Sequence, residues 1–526
     1  MAGLLRTNVG VAAGTATSRL TGLARVAVLG AVLGTPSALA DAYDLANSTP
    51  NMVYELLLGG ILSSTLVPLL TRLRDDGDDE GTRAVITVTT LTLTLVTALA
   101  VAAAPLVFGL YSVLTADTVD ADRYRAVGTA LTRMFLVQIF FYGLTALGAA
   151  LLAARRRFLA AAWAPVVSNL VVIGLLLLVP RIVQGTPSLD DVLDDRALRW
   201  LLGGGATLGI ALGALALVPA LRGAGVSLGL GSSWRHPAVR SLRTMSMWAL
   251  GYVAANQVAL VVVRNLLRGG DGSAFAYSRA FLWFMLPHAL LAMPIVTTFQ
   301  PELASAAARH DDAALAERAS RGIRLIALLT LPAGVGLFVL REPIIGLVFQ
   351  HGEATAADTA LTARALGGFA LGLGAFSIYL FVLRVFYARF DARTPFLLNV
   401  GENLVNIVLA VVLVDRFGLA GLAASFAIAY VVGVVAATAV AARRITSLRT
   451  APLLASVGRS ATAAAVMGLV VATVAGRVGD DAGVGAAARV GVGSLTGVIV
   501  YAILTVLVGD DDLRALIRAR AGRRGG

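Results

Sequence analysis

Apolar residues in this chain come in blocks of about twenty or more, and polar stretches only punctuate them. A helix needs about 20 apolar residues to cross the hydrocarbon core of a bilayer. By that measure the pattern predicts about fourteen membrane helices: 8–33, 46–72, 85–113, 127–154, 162–182, 199–220, 244–267, 274–303, 322–349, 359–388, 396–415, 419–442, 452–475 and 486–508. Pro68, Pro165, Pro287, Pro294 and Pro332 fall inside these blocks, where neighbouring helices re-satisfy the backbone groups that a kink frees. The expected fold class is an all-α polytopic membrane protein.

Composition strengthens that reading: 58% of residues are hydrophobic, 14% are charged, and the mean hydropathy is +0.82. Soluble chains of this length split into domains joined by polar linkers; here the membrane part is the protein. The net charge is +12 and every basic residue is Arg, usage that resembles a high-GC genome. Arg clusters in alternate loops, among them Arg72/Arg74/Arg83, Arg155/Arg156/Arg157, Arg384/Arg389/Arg393 and Arg443/Arg444/Arg449. The loops between them carry fewer Arg and more Asp, as at Asp117/Asp120/Asp122 and Asp190/Asp191/Asp194/Asp195. The positive-inside rule then puts both termini in the cytoplasm, in agreement with an even helix count.

The chain also echoes itself. Ala42-Tyr43, Pro50 and Ser64 to Leu70 are followed, in the second half, by Ala276-Tyr277, Pro287 and Thr297 to Leu303. This predicts two six-helix lobes, residues 1–225 and 226–445, and a further pair of helices with a short cytoplasmic tail in 446–526. Paired halves frame a central substrate site in many transporters.

Several function classes drop out. Excess Arg in cytoplasmic loops accounts for the basic pI near 10.7 without nucleic acid. Cysteine is absent, which removes disulfides, thiolate nucleophiles and Cys-ligated metals. The four histidines (His236, His288, His310, His351) have no metal-ligand spacing. With no Lys there is no nucleotide-binding loop of the Gly-x-x-x-x-Gly-Lys type, and no constellation reads as catalytic. Asp75-Asp76-Gly77-Asp78-Asp79-Glu80 reads as a solvated loop.

Ser18-Arg19-x-x-Gly22-x-x-Arg25, Ala40-Asp41-Ala42-Tyr43, Pro50-Asn51 and Tyr54-Glu55-Leu56-Leu57-Leu58-Gly59-Gly60 resemble the opening of the MurJ/MviN lipid II flippases in their actinobacterial form. Gln138 to Leu144, Ala153 to Phe158 and Trp163-Ala164-Pro165 are similar to the family's fourth and fifth helices, and Leu217 to Arg222 to the end of its sixth. Phe349-Gln350-His351-Gly352, Phe386 to Pro395 and Gly418 to Ala423 resemble its second half. The ordered set spans nearly the whole chain. It implies the multidrug/oligosaccharidyl-lipid/polysaccharide exporter fold: two lobes in a V, with helices thirteen and fourteen forming a groove for a lipid tail. It also implies a monomeric, ATP-independent carrier of lipid II in a bacterial plasma membrane, with cell-wall synthesis proteins as further partners. A drug or polysaccharide exporter of the same superfamily and a non-transporting cell-wall scaffold are the alternatives.

Arg19 and Arg25 are six residues apart, so they sit about 9 Å apart along a helix and roughly 120° apart around it. They can line one cavity without touching. One reading pairs Arg25 with a nearby Asp or lets one side chain snorkel to the surface. The other has both hold a pyrophosphate, which guanidinium binds in bidentate fashion while keeping its charge. Arg279, in the eighth helix, and Arg264, at the end of the seventh, are further substrate-binding candidates, with an interfacial anchor as the alternative for Arg264. Asp41 and Asp44 lie between the first two helices, either as solvated helix caps or, by the resemblance, with Asp41 as a gate closing on an Arg or a Ser/Thr of the other lobe. Many relatives carry a basic pair after the Pro-Asn of helix two, where this chain has Tyr54-Glu55; Glu55 is a candidate partner for Arg19 or Arg25. Asn399, Glu402, Asn403 and Asn406 share one face of the eleventh helix. They read either as hydrogen-bond glue or as oxygen ligands for a coupling sodium ion or a proton site.

Overall fold

The computed structural model describes residues 2–34, 37–54, 60–226, 229, 247–350 and 355–507. Among them every regular element is helical, with one isolated bridge joining Thr115 and Gly269. The first eight helices are α1 (Ala2–Leu33), α2 (Ala38–Tyr54), α3 (Gly60–Asp75), α4 (Asp79–Ala102), α5 (Ala104–Tyr111), α6 (Ala121–Leu136), α7 (Gln138–Ala154) and α8 (Leu159–Leu176). Their starts follow local chemistry. The Asp78 side chain accepts the Gly81 amide at 2.7 Å to cap α4, and the Asp120 side chain accepts those of Asp122 and Arg123 to cap α6.

Ten described helices are long and apolar enough to span a membrane, or eleven if the bent pair Ala356–Ala370 and Leu373–Ala388 counts as one span. The chain is a multi-pass membrane protein. The sequence pattern reads as fourteen spans, and three places account for the difference. Arg393–Arg444 is continuous by hydrogen bonding, yet Gly418 turns at φ +53° and divides it into two stretches of membrane length. Met247–Leu266 carries Asn256, Gln257, Arg264 and Asn265, which dilute its hydropathy. The block at 46–72 is shared between α2 and α3, and residues 55–59 between them lie outside the described set.

By packing, the chain divides between Phe275 and Ala276. Met247–Leu266, which chain position alone places in the second lobe, therefore belongs with the first unit. Polar side chains explain why. Gln257 accepts from Tyr111 Oη at 3.2 Å and donates to the Met52 carbonyl at 3.3 Å. The Asn265 Oδ1 accepts the Val113 and Leu114 amides, while its Nδ2 donates to the Leu110 carbonyl. These bonds satisfy the buried Gln257 amide and the half-buried Asn265 amide, which lipid would leave bare.

The apolar core of the first unit gathers Leu33, Leu39, Phe108, Tyr124 and Phe135. That of the second is aromatic: Phe284 meets Phe369, Phe376 and Phe426 with ring centroids 5.4–5.6 Å apart. The sequence echo reappears as packing. Tyr43 meets Phe135 edge-on at 5.2 Å in the first unit, and Tyr277 meets Phe369 edge-on at 4.9 Å in the second. Edge-to-face geometry sets the positive rim of one ring against the negative face of the other, and each unit uses it at the matching Ala-Tyr.

Candidate functional site

The candidate residues of α1 are placed by its contact with α8. Trp163 Nε1 donates to the Gly10 carbonyl at 3.2 Å, and a Cβ on Gly14 would stand 2.7 Å from the Trp163 ring. One turn further, Asn169 Nδ2 donates to the Ser18 carbonyl at 3.2 Å and to Thr21 Oγ1 at 3.1 Å. Ser18, Thr21 and Gly22 of the motif are thus the docking face, and they fix the rotation of the helix. Arg19 is exposed and Arg25 half-buried on that helix, and among the described residues neither guanidinium makes a hydrogen bond or an ion pair.

Asp41 and Asp44 belong to the first two turns of α2 and not to a loop. The Ser37 Oγ accepts the Ala40 amide at 3.1 Å and starts that helix. Asp41 is fully buried. Its Oδ2 accepts the Gly270 and Gly272 amides at 2.8 and 2.9 Å, and its Oδ1 accepts the Phe275 amide at 2.8 Å. Its partners are therefore backbone N–H groups, where the sequence reading looked for Arg or Ser/Thr. The carboxylate caps the helix Ser273–Pro287 from another segment of the chain, in the position where a negative charge is best placed. Gly270 and Gly272 turn at φ +122° and +88°, a region closed to most side chains, so the loop wraps the carboxylate only because these are glycines.

Asp44 Oδ2 takes Arg264 Nη1 at 2.9 Å, with side-chain exposures of 17% and 9%. Arg264 is thus held by a carboxylate of its own unit. In the second unit Arg279 is 1% exposed, and its guanidinium lies 4.4 Å from the centre of the Phe349 ring, a cation–π contact. Glu55 lies outside the described residues.

On the long helix Arg393–Arg444, Asn399, Glu402, Asn403 and Asn406 are all buried. Asn403 Nδ2 donates to the Asn399 carbonyl at 2.9 Å, and Ser425 Oγ donates to Asn406 Oδ1 at 3.0 Å. Glu402 packs toward Gly433, whose missing side chain leaves room for it and for Tyr379; a Cβ there would meet both at 3.3 Å. Glu402 Oε2 is buried and finds no hydrogen bond among the described residues.

The second unit also holds an apolar groove of about 490 Å³ lined by Pro287, Leu328, Pro332, Met467, Gly497 and Tyr501, among others. It runs between Asp312–Val339 and the last two described helices, Thr450–Ala475 and Gly483–Leu507. Gly493 and Gly497 keep one wall low: a Cβ on Gly493 would come within 2.8 Å of Leu340.

Sequence reasoning missed the amide anchors Gln257 and Asn265 and the glycine loop that wraps Asp41. The polar residues of Met247–Leu266 and the run Gly269-Gly270-Asp271-Gly272 were the available signals.

A many-helix membrane fold with buried charge and a long apolar groove defines a polytopic membrane transporter, and solved structures share its fold. One described as a multidrug resistance MATE family transporter of the MOP superfamily, inward-facing, aligns with a TM-score of 0.67 at 15% identity over 82% of this chain and 96% of that one. Another, lipid II flippase MurJ in an inward closed conformation, aligns with a TM-score of 0.76 at 21% identity over 96% of this chain and 99% of that one. The sequence profile of the lipid II flippase MurJ family matches residues 29–492, and the chain belongs to that family. Relatives include a probable lipid II flippase MurJ of Rhizobium meliloti, 28% identical over 86% of this chain and 83% of its own length. The lipid II flippase MurJ of Burkholderia cenocepacia is 27% identical over 81% of both. A probable one of Thermotoga maritima is 25% identical over 96% of this chain and 97% of its own length.

Proposed function

We propose that this chain carries lipid II, the undecaprenyl-pyrophosphate-linked disaccharide-pentapeptide, from the inner to the outer leaflet of a bacterial plasma membrane by alternating access, without ATP. The observation that carries the substrate reading is the pair Arg19 and Arg25: two guanidiniums on one membrane helix, neither engaged by a described carboxylate. Charge at that depth is costly unless it is used, and a pyrophosphate is the dianionic, bidentate-accepting group that two such side chains fit. The apolar groove beside the last two helices supplies room for part of a polyprenyl tail.

The topology we adopt puts both termini in the cytoplasm, supported by the alternation of Arg-rich and Asp-rich loops. The Arg-only basic set supports an actinobacterial form of the family. A ligand drives a conformational change only through different affinities for the two states, so the arginines must hold the pyrophosphate more tightly when open to the cytoplasm. Glu402, a buried carboxylate among amides, is our candidate for the group that couples a cation or a proton to the cycle.

The test is reconstitution into vesicles with lipid II, reading its accessibility on each side. Arg19→Ala/Arg25→Ala should slow flipping more than tenfold while the protein remains folded and monodisperse. Unchanged flipping in that variant removes the pyrophosphate role, and no flipping by the wild type removes the transport reading.

A further inference from the structure

A second guanidinium pair lies in the first unit, in a groove that α1 does not line. The groove measures about 680 Å³ and is lined by Arg133, Val137, Arg199, Trp200, Thr207 and Leu208, among others, with no carboxylate in its wall. Its floor is made where two helices break. α6 gives way to α7 at Val137, and the helix Gly205–Leu215 is preceded by one turn of π-helix at Trp200–Gly204. Single π turns of this kind gather at functional sites.

Glycine sets the depth. A Cβ on Gly203 would stand 2.5 Å from Met134 Sδ, and one on Gly204 would stand 2.7 Å from the Trp200 ring. Thr207 Oγ1 donates to the Met134 carbonyl at 2.9 Å and accepts from Gln138 Nε2 at 3.2 Å, which closes the inner end.

The two cations differ in kind. Arg199 is half-buried and fixed: its Nε donates to the Val192 carbonyl at 2.9 Å and its Nη2 to that of Leu193. Arg133 is exposed within the span Ala121–Ala154 and makes no hydrogen bond or ion pair among the described residues. It stands twelve residues, about 18 Å, along the helix from Ala121. Three carboxylates at this end are already committed. Asp190 binds Arg123 at 2.7 Å, Asp191 accepts from the Ser188 amide and hydroxyl, and Asp195 caps the Arg196–Arg199 turn. Trp200 is 58% exposed beside them, the placement of an aromatic residue at a headgroup boundary.

We infer that this groove is a lateral site for an anionic glycerophospholipid, with the headgroup phosphate on Arg133 and Arg199 and the start of an acyl chain along Val137 and Leu208. A lipid fits better than a soluble anion because the groove opens on apolar, exposed side chains such as Val137 and Leu208 and because no carboxylate lines it to pair with Arg133. In the topology adopted above, the lipid comes from the outer leaflet. The site is separate from Arg19 and Arg25 and does not depend on the transport reading.

The experiment is native mass spectrometry of the full-length protein released from nanodiscs of mixed phosphatidylglycerol and phosphatidylcholine. Wild type should retain at least one phosphatidylglycerol more often than chance composition allows. Arg133→Gln, which removes no hydrogen bond or ion pair among the described residues, should lower that retention at least fivefold, and Arg133→Lys should restore most of it. Glycerol phosphate added at millimolar concentration should not displace the lipid. Equal retention by wild type and Arg133→Gln overturns the inference. Displacement by glycerol phosphate also overturns it, in favour of a soluble phosphate.

Discussion

Asp41 Oδ1 accepts the Phe275 backbone amide at 2.8 Å, joining residues 234 apart in the chain. With Gly270 and Gly272 it forms a three-donor cage around one buried carboxylate. In Asp41→Asn the shape remains, but an amide NH₂ replaces one acceptor and faces N–H groups. Hydrogen bonds to a charged group contribute about 1.5–3 kcal/mol each, so the variant should lose at least that much stability. Because the chain has no cysteine, Ser273→Cys gives a single label site. Its reaction with a membrane-impermeant maleimide should speed up when combined with Asp41→Asn. An unchanged rate would show that the cage does not hold this segment.

Arg264 and Asp44 form a buried ion pair, for which removal of one partner costs about 3–5 kcal/mol because the other charge stays behind. Asp44→Asn and Arg264→Gln should each lower the melting temperature more than the double variant does relative to either single one. A double-mutant cycle in detergent measures this. Strict additivity would mean that the pair is not coupled.

Gly346 faces the Asp481 backbone carbonyl so closely that a Cβ there would stand 1.9 Å from the oxygen. Asp481 is itself tied to Arg489 of the last described helix at 2.5 Å. Overpacking against backbone costs about 1–3 kcal/mol or more. Gly346→Ala should therefore lower stability by at least that amount, read as the melting temperature, whereas Gly336→Ala, with open space around its Cβ, should not.

Glu402→Gln keeps the volume of the side chain and removes its charge. If Glu402 couples transport, flipping by this variant should lose its dependence on sodium or pH and on membrane potential. A variant that flips with the wild-type dependence on all of these would exclude the role.

Asp391 lies in the loop before Arg393–Arg444, outside the membrane. Burial pushes its carboxyl up, but hydrogen bonds from the Thr394 hydroxyl and amide and from Arg444 outweigh it and hold the group below the ordinary Asp value. A group depressed on folding adds stability that is complete above its unfolded pKa, about 3.9, and is lost as pH falls through the folded value. Thermal melts from pH 6 to pH 3 should fall less steeply for Asp391→Asn than for wild type, and the two should converge at the acid end.

The helices were legible because about twenty apolar residues in a row have few other fates. Their interruptions were legible only in part. The break predicted between 396–415 and 419–442 falls at Gly418, although as a single residue at φ +53° and not as a loop, whereas α2 begins eight residues before the apolar block that announced it. The motif Ser18-Arg19-x-x-Gly22-x-x-Arg25 gave the right helix, and the structure separates its jobs: Ser18, Thr21 and Gly22 dock on Asn169, and the arginines are left over. The partners of Asp41 were hidden for a physical reason, since every residue but proline carries the same backbone N–H. Spacing rules also carry no information about pairs such as Asp44 and Arg264, 220 residues apart.

The amide anchors on Met247–Leu266 have a practical corollary for dissecting the chain. Cutting at residue 235 and co-expressing the two fragments would leave Gln257, Arg264 and Asn265 on one piece and their carbonyl, amide and carboxylate partners on the other. That helix would then act as a splint. The fragments should co-purify through it, and a cut placed after residue 268 should abolish that particular hold.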